Sequence, residues 1–263
     1  MDLASATDNF SETRKLGGGG FGAVYRGYLI DLDMTVAVKK ISRGSRQGKK
    51  EYITEVKTIS QLRHRNLVQL IGWCHDRGEF LLVYEYMPNG SLDSHLFGNK
   101  SPLNWAARYK ISLGLASALL YLHEEWEQCV VHRDIKSSNV MLDSHFNVKS
   151  GRKSVDRMRE NSEMGLVEWV WDLYGKGKLE LAADERLDMN FDQRQIECLM
   201  IVGLWCAHPD RNFRPSIRRA IQVLNFETAL PYLPTKMPLT DPFFSWGYLY
   251  FFFHLQFPIC LKY

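Results

Sequence analysis

The sequence predicts an α+β chain in two lobes: a small antiparallel sheet with one helix over about residues 10 to 84, then a mainly helical lobe. Three observations carry that expectation. The stretches LGGGGFGAVYRG (Leu16 to Gly27) and TVAVKKI (Thr35 to Ile41) alternate like strands around a tight turn. Beyond Ser91 the apolar residues recur almost entirely at helical spacing. A length of 263 residues, 45% hydrophobic and 24% charged, suits one large domain or two lobes around a cleft.

Taken in order, the glycines at 17, 19 and 22 fit Gly-x-Gly-x-x-Gly, a weak signal inside a run of four glycines. A dinucleotide-binding turn would open a helix here, whereas Phe21, Val24 and Tyr25 continue a strand, which favours a hairpin that covers phosphates. From Lys49 to His64 the residues Ile53, Val56, Ile59 and Leu62 mark a helix with Glu55 beside its apolar stripe. EFLLVYEYMPNGSLDSHLF (Glu79 to Phe97) is a β-branched and aromatic strand that ends in a Pro-Asn-Gly turn, with a helix start at Ser91. A long helix follows, with Ile111, Leu115, Ala118, Leu119 and Leu122 on one core face. After Lys149 come three helical patterns: Leu166, Val170, Leu173; Leu199, Val202, Trp205; and Ile217, Ala220, Ile221, Leu224.

Bulk properties exclude several function classes. With 33 basic against 30 acidic residues, net charge +3, no strong field would draw nucleic acid. Five cysteines, without a Cys-x-x-Cys pair and odd in number, suit buried thiols in a reducing compartment, and no zinc-ligand spacing or nucleophile triad stands out. The first residues, MDLASATDNFSETRKLG, contain no apolar signal region, so the chain reads as cytoplasmic. An aromatic run from Phe243 to Leu261 approaches the roughly 20 residues a membrane span needs, but His254, Gln256 and Pro258 interrupt it. It reads as a run-on or mis-spliced segment, with a membrane anchor as the alternative.

The motifs that carry chemistry lie in four stretches: RHRNLVQLIGWCH (Arg63 to His75), LLVYEYMPNGSLD (Leu81 to Asp93), HRDIKSSNVMLD (His132 to Asp143) and GLWCAHPDRNFRPSI (Gly203 to Ile217). Together, in this order and spacing, they resemble a eukaryotic protein kinase domain of the plant receptor-like kinase group, most similar to the legume-lectin type. The resemblance covers roughly residues 10 to 230. It implies a two-lobe protein-kinase-like fold with an N-terminal flank at 1–15, an N-lobe at 16–84, a C-lobe at 85–230, and an aromatic tail at 231–263 outside the family pattern.

Carried over residue by residue, the resemblance implies ATP and magnesium as cofactors and a protein serine or threonine hydroxyl as the acceptor. Gly17, Gly19, Gly22 and Val24 would cover the nucleotide, Lys39 would hold its α- and β-phosphates, and Glu55 would position Lys39. Glu85 and Met87 would bracket the adenine, with bulky Tyr84 at the back of the pocket. Asp134 would accept or orient the hydroxyl proton, Lys136 would stabilise the transferred phosphate, and Asn139 would bind one metal ion. A related receptor kinase is an implied partner, membrane contact is implied only through the aromatic tail, and family members work on the cytoplasmic side of the plasma membrane.

The departure from the family is as specific as the match. After Val148-Lys149 the pattern requires the metal-binding Asp-Phe-Gly, but the chain continues Ser150-Gly151-Arg152-Lys153-Ser154, and several dozen family positions through a central apolar helix are absent near 149–151. The C-lobe is therefore incomplete. Arg214 loses the glutamate of a Pro-Glu motif, and a stranded buried charge costs about 3 to 5 kcal/mol. Three readings follow: a serine/threonine kinase with impaired transfer, a non-catalytic pseudokinase-like fragment that binds nucleotide or a partner, or a truncated product that does not fold.

Overall fold

The structure, a computed structural model, describes residues 2–19, 22–76, 78–126, 136–150 and 161–238. The chain divides into two compact units, residues 1–89 and 90–263.

The first unit opens with a single turn, α1 (Leu3–Ala6), capped by Asp2, whose carboxylate accepts from the Ala4 amide. Five strands follow: β1 (Lys15–Gly19), β2 (Gly22–Leu29), β3 (Met34–Ile41), β4 (Leu70–Asp76) and β5 (Glu79–Glu85). They form one antiparallel sheet in the order β1-β2-β3-β5-β4. Directly opposed residues project to the same side of a sheet, so the register sorts the side chains. Val36, Val38, Leu81 and Val83 face one way and bury Leu3 and Leu29. Ile41 and Leu82 face the other, where Tyr52 and Ile59 cover them. Gly22 has φ 150° and presses against the Lys40 carbonyl, which leaves no space for a Cβ.

Between β3 and β4 lies α2 (Arg46–Thr54), capped by Ser45 on the Gly48 amide at 2.9 Å. It continues as one wider π-type turn from Glu55 to Ile59. That turn shifts the phase of the apolar stripe. Tyr52, buried, takes the core position, while Ile53, expected inside, is 42% exposed.

The second unit holds α3 (Leu92–Leu96), α4 (Trp105–Leu120), the hairpin β6 (Val140–Leu142) and β7 (Val148–Ser150), and then α5 (Asn161–Gly175), α6 (Gln193–Cys206) and α7 (Ile217–Leu224). The face expected of the long helix is its core face: Ile111, Leu115, Ala118, Leu119 and Leu122 are all buried. Ile111, Leu115 and Leu119 join one cluster with Val170, Trp171, Leu199, Val202 and Ala220. Beyond α7 the chain runs extended and returns to α5, where the Trp171 indole donates to the Pro234 carbonyl at 2.8 Å.

This core contains a charge. Arg108 is fully buried, donates to Asp184 at 2.8 Å and to the Leu103 carbonyl at 2.9 Å, and Arg186 also grips Asp184. Arg214 donates to the carbonyls of His208 at 2.7 Å and Pro209 at 3.3 Å. These neutral acceptors bond the guanidinium but bring no counter-charge, and burial lowers its pKa, in keeping with the expected cost.

Candidate functional site

The first unit carries a row of side chains across one sheet face. Gly17 opposes Val24, Val24 opposes Lys39, and Lys39 opposes Leu82, so β1, β2, β3 and β5 place these positions on one side. A Cβ on Gly17 would meet nothing within 4 Å, so this strand leaves open space above its backbone. From β3 the Lys39 ammonium reaches Glu55 Oε1 at 2.7 Å, with both side chains largely shielded from solvent. Glu55 stands at the junction of α2 and the π-type turn. Its second oxygen, Oε2, accepts from the Tyr84 hydroxyl, so both carboxylate oxygens are engaged. Burial, reinforced by the nearby Glu55 charge, pushes the Tyr84 phenol well above its ordinary pKa and keeps it a donor.

At the end of β5, Glu85 pairs with Gln69 twice: its amide donates to the Gln69 carbonyl at 3.1 Å and its carboxylate accepts from the Gln69 amide at 2.8 Å. Met87 is buried, and the Arg26 guanidinium lies 5.2 Å from the centre of the Tyr86 ring. Gly19 pairs with Gly22 at the mouth of the hairpin. A cavity of about 690 Å³ is lined by Lys15, Tyr25, Lys40, Arg43 and Glu79, the lysine adjoining Lys39 and so facing the other side of the sheet. Glu79 holds Lys40 at 3.2 Å and Arg43 at 2.8 Å, one carboxylate shared by two cations. The Lys39–Glu55 pair lies on the opposite face of the sheet from this cavity.

In the second unit, Lys136 precedes a short 3₁₀ turn, Ser137–Asn139, whose last amide donates back to the Lys136 carbonyl at 2.9 Å. Asn139 is buried and leads into β6, and Ser150 of β7 pairs with Val140. Asp134 lies outside the described residues, as do His132 and Arg133. The nearest carboxylate in sequence, Asp143, is committed to its own turn and accepts from the amides of His145 and Asn147 at 2.8 Å and from the Asn147 side chain at 2.9 Å. Among the described residues no group of three His, Cys, Asp or Glu could hold a metal ion. Among the described residues, Lys39 offers a cation suited to a phosphate, while the Asp143 carboxylate is engaged in its own turn.

Sequence reasoning missed two contributors, the Tyr84 hydroxyl and Arg26. Alternation along β5 places Tyr84 on the same face as Leu82 and so signals its direction, but nothing in the sequence signals that it reaches Glu55.

An antiparallel sheet that sets a lysine against a helical glutamate, together with a helical unit, defines a protein-kinase-like α+β fold with a partial C-lobe. A family model described as protein tyrosine and serine/threonine kinase matches residues 10–165. The chain belongs to that family, and its homologues are lectin receptor kinases of the plant receptor-like group. It is 57% identical to the L-type lectin-domain containing receptor kinase IX.1 of Arabidopsis thaliana, over 90% of this chain and 46% of the relative. Identity to IX.2 of the same plant is 50%, over 93% and 46%. The L-type lectin-domain containing receptor kinase SIT2 of Oryza sativa subsp. japonica is 41% identical, over 88% and 43%. The chain spans less than half the length of these relatives. Among solved structures, the pseudokinase domain of BIR2, an immune regulator of the RLK/Pelle family, aligns with a TM-score of 0.66 at 25% identity, over 86% of this chain and 83% of that one. The pseudokinase DRIK1 (drought responsive inactive kinase 1), crystallised with ENMD-2076, shares the fold with a TM-score of 0.72 at 23% identity, over 85% and 93%.

The alignment to IX.1 extends over 296 positions but draws on 90% of 263 residues, about 237. Within that aligned span about 60 positions of the relative therefore have no counterpart in this chain.

Proposed function

We propose that the chain is an ATP-binding domain of serine/threonine kinase type whose phosphoryl transfer is severely impaired. The observation that carries this reading is the Lys39–Glu55 pair on the open face beside Gly17 and Val24, set against the lack of any carboxylate between Asp143 and Asp156. In this reading Gly17, Gly19, Gly22 and Val24 cover the nucleotide, Lys39 neutralises its phosphates under the control of Glu55, and Glu85 and Met87 border the adenine. Asp134 orients the acceptor hydroxyl of a protein serine or threonine, and Lys136 offsets charge on the transferred group. Magnesium, when bound in kinases, neutralises phosphate charge as it develops, and Asn139 is the one family ligand the sequence retains. Arg152 and Lys153 follow β7 where the family pattern sets a carboxylate, and they bring charge of the wrong sign for a metal.

That same charge reversal favours a second reading, a pseudokinase-like module that acts by holding nucleotide or a related receptor kinase without transferring phosphate. Either role belongs on the cytoplasmic side of a membrane. Among the described residues no helix is long and apolar enough to cross one, and the Phe243 to Leu261 run lies outside them. The test pairs calorimetric ATP binding, with and without magnesium, with phosphate transfer to a generic basic protein and an Asp134→Asn control. Binding with transfer at the level of the control selects the pseudokinase reading. Residual transfer lost in Asp134→Asn selects the impaired enzyme, and absence of binding overturns both.

A further inference from the structure

β1 is the last strand of its sheet and pairs only with β2 among the described residues, and all five of its residues are exposed. A bare edge of this kind presents backbone N–H and C=O groups to any extended chain that comes alongside. The glycines of β1 put no side chain in the way of such a neighbour. Beside this edge, on the sheet face opposite Lys39, lies the cavity of about 690 Å³. Lys15, Lys40 and Arg43 line it against one carboxylate, Glu79, so among the described residues its walls carry positive charge.

Two of the three cations are held by contacts that an incoming anion can replace. Arg43 is 74% exposed and reaches Glu79 from the rim, and Lys15 joins Glu12, itself 78% exposed, in an ion pair worth little in water. Lys40 is fixed more firmly, between Glu79 and the face of the Phe10 ring at 4.0 Å. Tyr25, which also lines the cavity, meets Phe10 edge-on and holds that ring in place. Lys15 alone would be an ordinary edge charge that discourages strand pairing. Three cations together are more selective: they repel a basic strand and attract an acidic one.

We propose that the β1 edge and the cavity beside it form a docking site for an extended acidic peptide of a partner protein, which adds to the sheet along β1 and sets alternate carboxylates against Lys15, Lys40 and Arg43. Alternation suits this, since every second side chain of an added strand projects to the face that carries those cations. They stand across the sheet from Lys39, so peptide docking is read independently of nucleotide binding.

The test uses the full chain and a fluorescein-labelled peptide of alternating glutamate and threonine, followed by anisotropy at about 0.15 M salt, where charges more than about 8 Å apart are screened. The peptide should bind, and Lys15→Glu combined with Arg43→Glu should weaken it at least about tenfold. Lys50→Glu combined with Lys57→Glu, an equal change of charge at exposed positions outside the cavity lining, should alter affinity less than about twofold. Glu79→Gln should tighten binding about threefold or more, because it frees Lys40 and Arg43 for the peptide, a gain that misfolding cannot produce. A peptide N-methylated throughout should lose binding, since it cannot donate to the β1 carbonyls. No binding by the unaltered chain, equal losses in the two double variants, or unchanged affinity in Glu79→Gln would overturn the proposal. So would full binding by the N-methylated peptide, or its unmethylated form being displaced by inorganic phosphate at equal concentration, which would assign the cavity to small anions.

Discussion

Replacing Asp184 with asparagine tests whether the second unit is a folded body despite its missing positions. Asp184 is buried against Arg108, which has no exposure at all, and Arg186 closes on it from the other side. Burial opposes ionisation of this carboxyl, yet the hydrogen bonds from Arg186 and Arg108 outweigh it and hold the group at about 2, against an ordinary 3.8. A carboxylate depressed in the folded state adds stability that is present above its ordinary pKa and is lost as pH falls through the folded value, here between about pH 4 and pH 2. The gap corresponds to about 2.4 kcal/mol at 1.36 kcal/mol per pH unit. Asp184→Asn goes further, because it leaves the Arg108 charge in the core without its counter-ion, a cost of about 3 to 5 kcal/mol against a total near 5 to 15. Urea denaturation at pH 7, followed through the buried tryptophans Trp105 and Trp171, should show a midpoint lower by about 2 M for a slope near 2 kcal/mol per M. The variant should also lose most of the wild-type sensitivity between pH 4 and pH 2. A loss below about 1 kcal/mol, or an unchanged acid profile, would refute the network and leave the non-folding reading standing.

Phosphate transfer should fall at least about 10³-fold below an intact relative, since metal stabilisation of several kcal/mol is missing at 1.36 kcal/mol per decade; transfer within tenfold would contradict this. Gly175→Val should release the extended segment after α7, because any Cβ there collides with the Thr235 carbonyl; faster proteolysis between 229 and 238 is the readout, and unchanged cleavage counts against the contact. Cys198, pushed up to about 12 by burial, and Cys206, driven higher by the same cause, should resist alkylation at pH 8 unless urea is added, whereas half-buried Cys74 should label first; peptide mass spectrometry distinguishes them.

Much of the fold was legible because its signals are local. Period-two alternation marks β2, β3 and β5, and the spacing of Ile111, Leu115 and Leu119 marks the core face of α4. The α2 stripe was legible only up to the π-type turn, since a fixed helical period cannot register the phase change that turns Ile53 outward and Tyr52 inward. Lys39 and Glu55 could be paired from their motif context, 16 residues apart, but not the third member. Nothing local marks Arg108 as a core residue, because its partner lies 76 residues away and charge on a core face is the exception to patterning. For Arg214 the sequence names the missing glutamate, but not the backbone carbonyls of its own loop that it bonds.

The division of the chain sorts the residues of the proposed reading into two groups. Gly17, Gly19, Gly22, Val24, Lys39, Glu55, Glu85 and Met87 all fall within residues 1–89, whereas Asp134, Lys136 and Asn139 fall in the second unit. Described structure after Asn139 ends at β7, where Ser150 pairs with Val140, and resumes only at α5. The sequence joins these two elements by ten residues where a kinase of this type carries its metal ligand and activation segment. Lys39, Glu55 and Tyr84 all lie in the first unit, so this network closes within residues 1–89.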